Sequence, residues 1–234
     1  MTAILRRELQ AYFSSPIGYM YLFVYYVFSG FYFFTGTLLY NSTDITPVFS
    51  NMFTIILFLI PILTMRLFSE DNKQRTDQAL LTAPITLPAL VTGKFLAGTV
   101  VYLMGLSITL VYSVIIAAFA PPNWAIIWGN FIALLLFGMA LIAIGMFISS
   151  MTENQVVAAV GAFGVSLGLL FIDSLAGVFQ NPLAIRIFRA VSFSTRFSQF
   201  SSGIFNFASI IFFLSVGVVF IFLTIRVLEK RRWG

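Results

Sequence analysis

Two residue types are missing from the sequence altogether, and each absence removes a class of chemistry. Without cysteine there is no disulfide framework, thiolate nucleophile or thiolate metal site, and without histidine there is no imidazole base and none of the usual zinc or copper centres. Any metal would have to be held by carboxylates alone. Charge is scarce as well: only 9% of the 234 residues are Asp, Glu, Lys or Arg, against roughly 25% in soluble domains. Apolar residues make up 60% of the chain and its mean hydropathy is +1.00. Whole windows longer than about 18 residues contain no charge, the length needed to cross some 30 Å of hydrocarbon. The chain reads as an all-α polytopic membrane protein.

Residues 1 to 15 place Leu5, Leu9, Tyr12 and Phe13 on one helical face, with Arg6, Arg7, Glu8 and Gln10 turned elsewhere. That pattern predicts an amphipathic helix lying at the membrane interface, a frayed charged terminus being the plainer alternative. Glu8, Gln10 and the aromatic-rich continuation do not suit a cleavable secretory signal. Pro16 and Gly18 end this helix. Apolar runs then predict six transmembrane helices, at 19 to 40, 48 to 67, 95 to 119, 124 to 148, 156 to 172 and 205 to 225, followed by a tail at 226 to 234. Pro61 falls in the second span, and Arg66 at its end can snorkel to the surface. Gly164 and Gly168 in the fifth form a GxxxG pair, read first as packing within one subunit and second as a subunit interface. Between 176 and 203 the pattern predicts two short amphipathic helices. In the second, Phe193, Phe197 and Phe200 share a face, with Ser194 as cap and Gly203 as stop.

One polar interval of any length interrupts this apolar succession, the segment 68 to 93 between spans two and three, with Lys94 at the mouth of span three. It divides into a charged exit from span two, Glu70 to Arg75, a short helix around Thr76 to Leu81, and a turn at Pro84 to Pro88. Basic residues decide which side it lies on. With an even span count both termini share a side, and Arg6, Arg7, Arg66, Lys73, Arg75, Lys94, Arg226, Lys230, Arg231 and Arg232 gather there, against Arg186, Arg189 and Arg196 opposite. The positive-inside rule then makes the termini and this interval cytoplasmic. The net charge of +5 is accounted for by that bias, with no nucleic-acid partner. No predicted span carries an ionisable residue in its middle, so coupling to an ion gradient has no evident carrier. Nor can the chain use ATP alone: Gly93-Lys94 is followed by Phe95, and Pro88 stands where a phosphate-binding loop needs glycine. No catalytic, cofactor or metal constellation is expected.

Several of these residues resemble the membrane subunits of ABC-2 type ATP-binding-cassette exporters, and particularly the short permeases of the gliding-motility-associated type. The family pattern of an acidic and basic cluster, GT-x-E-x-LLT-x-P and then GK plus an aromatic is matched by Glu70-Asp71, Thr76, Leu80-Leu81-Thr82, Pro84 and Gly93-Lys94-Phe95. Arg75 stands where the family has glycine, and Gln78 where it has glutamate. The stretch 147 to 158, FISSMTENQVVA, is similar to the family's turn between spans four and five. The resemblance implies a non-catalytic permease, dimeric with itself or a sister permease, driven by cytoplasmic ATPase subunits that bind ATP and Mg. The implied ATPase-coupling residues are Glu70, Asp71, Arg75, Thr76, Gln78, Leu80, Leu81, Thr82 and Pro84, with a secondary contact through Arg6, Arg7, Thr152, Asn154 and Gln155. A path lined by aromatic and small residues would suit an amphipathic or lipid-like cargo. The rival readings are an ATPase-linked scaffold doing mechanical or regulatory work, and an ATP-independent channel.

Overall fold

The structure, a computed structural model, describes residues 2–74, 86–178, 188, 191–201 and 206–233. Those residues are helical with no strands, and six of their helical stretches are long and apolar enough to cross a membrane: Pro16–Leu38, Thr46–Gln74, Leu87–Ala117, Trp124–Ser150, Gln155–Ile172 and Phe207–Arg232. The protein is an all-α polytopic membrane protein.

Helix α1 (Thr2–Ser14) is separated from α2 (Pro16–Phe33) by Ser15 alone, and Pro16 occupies the first turn of α2, where a missing N–H costs nothing. The corner is tight: a Cβ on Gly18 would lie 2.7 Å from the Tyr12 carbonyl, so only glycine admits this approach. A π-helical turn, Phe34–Leu38, ends span one, and Asn41 beyond it takes φ 47°. Span two is α3 (Thr46–Thr64), a turn at 65–68 and the short α4 (Ser69–Gln74). Span three is α5 (Leu87–Leu106) and α6 (Ile108–Ala117), broken at Ser107. Its helix starts at Leu87, with Pro88 in the first turn, well before the apolar window at 95, so Lys94 lies inside the helix rather than at its mouth.

Helix α7 (Trp124–Ser150) is the centre of the bundle. Asn123 caps it by accepting from the Ile126 N–H at 3.4 Å. It is apolar on every side and 72% of its most apolar window is buried, because α3, α5, α8 (Gln155–Val178), α9 (Phe193–Ser201) and α10 (Phe207–Trp233) all pack on it. Close approach uses small residues: a Cβ on Gly138 would overlap the Tyr102 ring, and one on Gly145 the Thr64 side chain. By contrast α8 and α10 leave most of their apolar surface outward. Gly164 and Gly168 have no described atom within 4 Å of a notional Cβ, so the GxxxG pair does not pack against any described residue, whereas Ala158, Ala162 and Ser166 of that helix are buried.

The phenylalanine face of α9 does enter the core. Phe53 stacks on Phe137 at 4.3 Å and on Phe197 at 4.8 Å, and Phe193 meets Phe213 edge-on at 5.5 Å. Its cap is Ser192 rather than Ser194, since the Ser192 hydroxyl accepts from the Thr195 N–H at 2.9 Å. The expected helix before it falls mostly outside the described residues, as does Gly203.

Candidate functional site

The candidate site forms where span two stops being a continuous helix. An α-helix leaves its last carbonyls without intrahelical donors, and inside a membrane those groups must find partners in protein. Here the partners come from three other elements. The Tyr12 hydroxyl of α1 donates to the Leu63 carbonyl at 2.8 Å, the Ser149 hydroxyl of α7 to the Met65 carbonyl at 3.0 Å, and the Lys94 ammonium of α5 to the Leu67 carbonyl at 2.6 Å. Ser149 also accepts from the N–H groups of Phe68 and Ser69, at 3.1 and 3.0 Å. A little further on, the Asn72 amide donates to the Thr152 carbonyl at 3.1 Å. The turn at 65–68 is thereby held from α1, α5 and α7 at once.

Around this turn sits an ionic network. Lys94, only 1% exposed, places its ammonium 2.9 Å from Glu8 and 2.6 Å from Asp71, and 5.2 Å from the centre of the Phe68 ring. Arg7 lies 3.6 Å from the other oxygen of Asp71. Arg66 pairs with Glu70 at 2.7 Å, donates to the Ser15 hydroxyl and covers the Tyr12 ring at 5.6 Å. It does not snorkel to the surface. Three carboxylates thus face three cations, which leaves no net charge to solvate and makes burial tolerable. Burial pushes the Tyr12 phenol well above its ordinary value, with the Glu8 carboxylate adding to the shift, so it remains a donor to Leu63.

Glu8 reaches this network because the buried face of α1 is Ile4, Glu8 and Tyr12, spaced four apart, with Leu5, Leu9 and Phe13 on the adjoining stripe. The sequence pattern placed Glu8 with the outward charges; the structure turns it inward onto Lys94. A polar cleft of about 130 Å³, lined by Arg7, Glu8, Arg66, Glu70, Asp71 and Lys94 among others, opens beside the network. Every carboxylate in it is held by a cation, so the arrangement offers no free base or nucleophile. Its chemistry is that of a joint.

A family model described as ABC-2 family transporter protein matches residues 11–233. This chain belongs to the ABC-2 transporter family. It is therefore an ABC permease, a multi-pass membrane protein of a transport family. No individual curated protein matches the chain. The family match carries nothing particular to the gliding-motility type.

On this ABC-2 permease, the residues singled out from sequence fall into three groups. Glu70 and Asp71 lie in α4 and enter the ionic network, and Arg7 joins it through Asp71. Thr152, Asn154 and Gln155 form the turn into α8: the Asn154 side chain accepts from the Val156 N–H at 2.9 Å, Thr152 accepts from the Asn154 N–H at 3.2 Å, and Gln155 opens the helix. Arg6 points away from both, exposed on the outer side of α1. Arg75, Thr76, Gln78, Leu80, Leu81, Thr82 and Pro84 lie outside the described residues. Sequence reasoning missed Glu8, Tyr12, Lys94 and Ser149 as parts of one site. The available signals were the four-residue spacing of Ile4, Glu8 and Tyr12, and Pro88 as a helix start that puts Lys94 in the second turn.

Proposed function

We propose that this permease is the membrane subunit of an ABC-2 exporter, working as a homodimer or with a sister permease on two separately encoded ATPase subunits that bind ATP and Mg. The termini and the segment 68 to 93 are cytoplasmic in a bacterial inner membrane, a reading supported by the basic residues concentrated on that side. The helix around Thr76 to Leu81 is the element the ATPases push. Thr152, whose carbonyl accepts from the Asn72 amide, with Asn154 and Gln155 after it, and Arg7, beside Asp71, form the secondary contact. The observation that carries this reading is the buried junction of Lys94 with Glu8, Asp71 and the Leu67 carbonyl. It ties the base of the pushed segment to α1 and span three, so displacement there moves several helices as one body. Coupling of this kind requires a two-state element biased both by the ATP-sensitive contact and by the path. The cargo is amphipathic or lipid-like, in keeping with the aromatic and aliphatic outer faces of α2, α8 and α10. The permease hydrolyses nothing itself.

Co-purification with its ATPase tests the proposal. Leu80→Asp should abolish the ATPase rate of the complex, and deletion of residues 72 to 84 should abolish association; an ATPase that stays bound and active in both variants would overturn it. ATP-dependent transport in proteoliposomes is expected, whereas an intact, ATP-hydrolysing complex that moves no lipid or amphiphile would favour the scaffold.

A further inference from the structure

The outer side of α1 carries a surface that the junction does not use. A cavity of about 340 Å³ is lined by Thr2, Leu5, Arg6, Leu9, Gln10 and Phe13, and an adjoining one of about 400 Å³ shares Thr2, Arg6 and Gln10 and adds Ala3 and Arg7. Leu5, Leu9 and Phe13 form its apolar floor, four residues apart, so the floor runs about 12 Å along the helix. Phe13 then meets Tyr19 edge-on at 5.6 Å, which carries the stripe onto the exposed apolar side of span one, Tyr19 and Phe23. Among the described residues, neither cavity is lined by a carboxylate. Glu8, the one acidic residue of α1, is consumed on the opposite face by Lys94, and Arg7 is drawn toward Asp71. Arg6 is left with no ion-pair partner among the described residues.

We propose that this open face of α1 is a binding site for an anionic glycerophospholipid, with the Arg6 guanidinium on the phosphodiester and an acyl chain along Leu5, Leu9 and Phe13. Charge complementarity selects the occupant: a cationic rim over an apolar floor, continuous with a lipid-facing span, fits a headgroup of net negative charge at the membrane surface. Arg suits this role because its fork binds two phosphate oxygens at once. Arg6 is thereby assigned to lipid rather than to the ATPase, and the inference stands independently of how ATP hydrolysis is coupled.

Native mass spectrometry of the full-length protein, from micelles doped equally with phosphatidylglycerol and phosphatidylcholine, tests it. The wild type should retain phosphatidylglycerol preferentially, and Arg6→Gln should reduce that retention about five-fold while leaving phosphatidylcholine unchanged. Leu9→Gln should reduce both. Equal retention of the two lipids by the wild type would overturn the proposal. So would a preference that survives Arg6→Gln and disappears in Arg231→Gln/Arg232→Gln, which would move the site to the end of α10. An Arg6→Gln variant that loses the ATPase but keeps its phosphatidylglycerol would return Arg6 to the docking surface.

Discussion

Replacing Lys94 by methionine is the sharpest test of the junction, because it removes the charge while keeping most of the stem. Lys94 is 1% exposed and its ammonium serves Glu8, Asp71 and the Leu67 carbonyl at 2.9, 2.6 and 2.6 Å. In Lys94→Met, Asp71 loses the nearer of its two described cations, Arg7 staying at 3.6 Å, and Glu8 and the Leu67 carbonyl lose the ammonium that lies between them. Breaking a buried ion pair from one side costs about 3–5 kcal/mol, most of it the desolvation of the charge left behind. At about 2–4 °C per kcal/mol for a chain of this size, the melting midpoint should fall by about 10 °C. The Glu8→Gln/Lys94→Met double variant removes one charge of each sign, so it should regain at least half of that loss. The assay is thermal melting of the wild type, both single variants and the double variant, purified at full length in one detergent, read as a double-mutant cycle. If Lys94→Met melts within about 2 °C of the wild type, or if the two substitutions simply add, then Lys94 is not a buried partner of Glu8 and the junction does not exist as described.

Three further outcomes follow from the same structure. Ser149→Ala takes the side-chain acceptor from the N–H groups of Phe68 and Ser69 and one of two hydroxyl donors from the Met65 carbonyl, which keeps the Ser69 hydroxyl. At about 1 kcal/mol per bond it should destabilise by about 2–3 kcal/mol, with faster hydrogen exchange confined to the 65–69 turn. Gly138→Ala drives a methyl into the Tyr102 ring and displaces a hydroxyl that donates to the Leu134 carbonyl at 2.6 Å, costing about 1–3 kcal/mol in melting experiments, whereas Gly164→Ala, with open space around it, should leave monomer melting unchanged. Because the chain has no cysteine, Ser42→Cys and Glu153→Cys can be labelled without background. A membrane-impermeant maleimide should reach Ser42→Cys in intact cells and Glu153→Cys only after lysis; the reverse pattern would invert the proposed orientation.

The transmembrane architecture was legible in sequence because hydrocarbon imposes a length and a composition on anything that crosses it. The phenylalanine face of α9 was legible for a related reason: Phe193, Phe197 and Phe200 repeat at helical spacing, and that face is buried. Capping was legible only to within two residues, since Ser192 and Ser194 are equal candidates until the Thr195 N–H chooses between them. The junction was not legible. Its pairs join residues as far apart as Glu8 and Lys94, and a hydropathy window counts each of those charges as a penalty when together they cancel. The start of span three was therefore placed after Lys94, where the charge stops, rather than at Leu87, where Pro88 lets a helix begin.

The break at 65–68 has a mechanical meaning that a longer α3 would not have. Had the helix run unbroken from Thr46 to Gln74, its carbonyls would bond to its own amides, and the position of residue 74 would depend on α3 alone. Instead Leu63, Met65 and Leu67 give their carbonyls to Tyr12, Ser149 and Lys94, so the position of α4 is set by α1, α7 and α5 together. Such bonds can be exchanged one at a time, while an intact helix must bend or unwind. A push on the proposed coupling helix would thus find two routes into the membrane, through Lys94 to span three and through Ser149 to the central span four. The routes differ in kind: the first is held by charge and the second by neutral hydrogen bonds. High salt should therefore leave both in place in this buried setting, whereas Lys94→Met and Ser149→Ala should each sever one. If the coupling proposal holds, the double variant loses ATP-driven movement altogether while either single variant retains part of it.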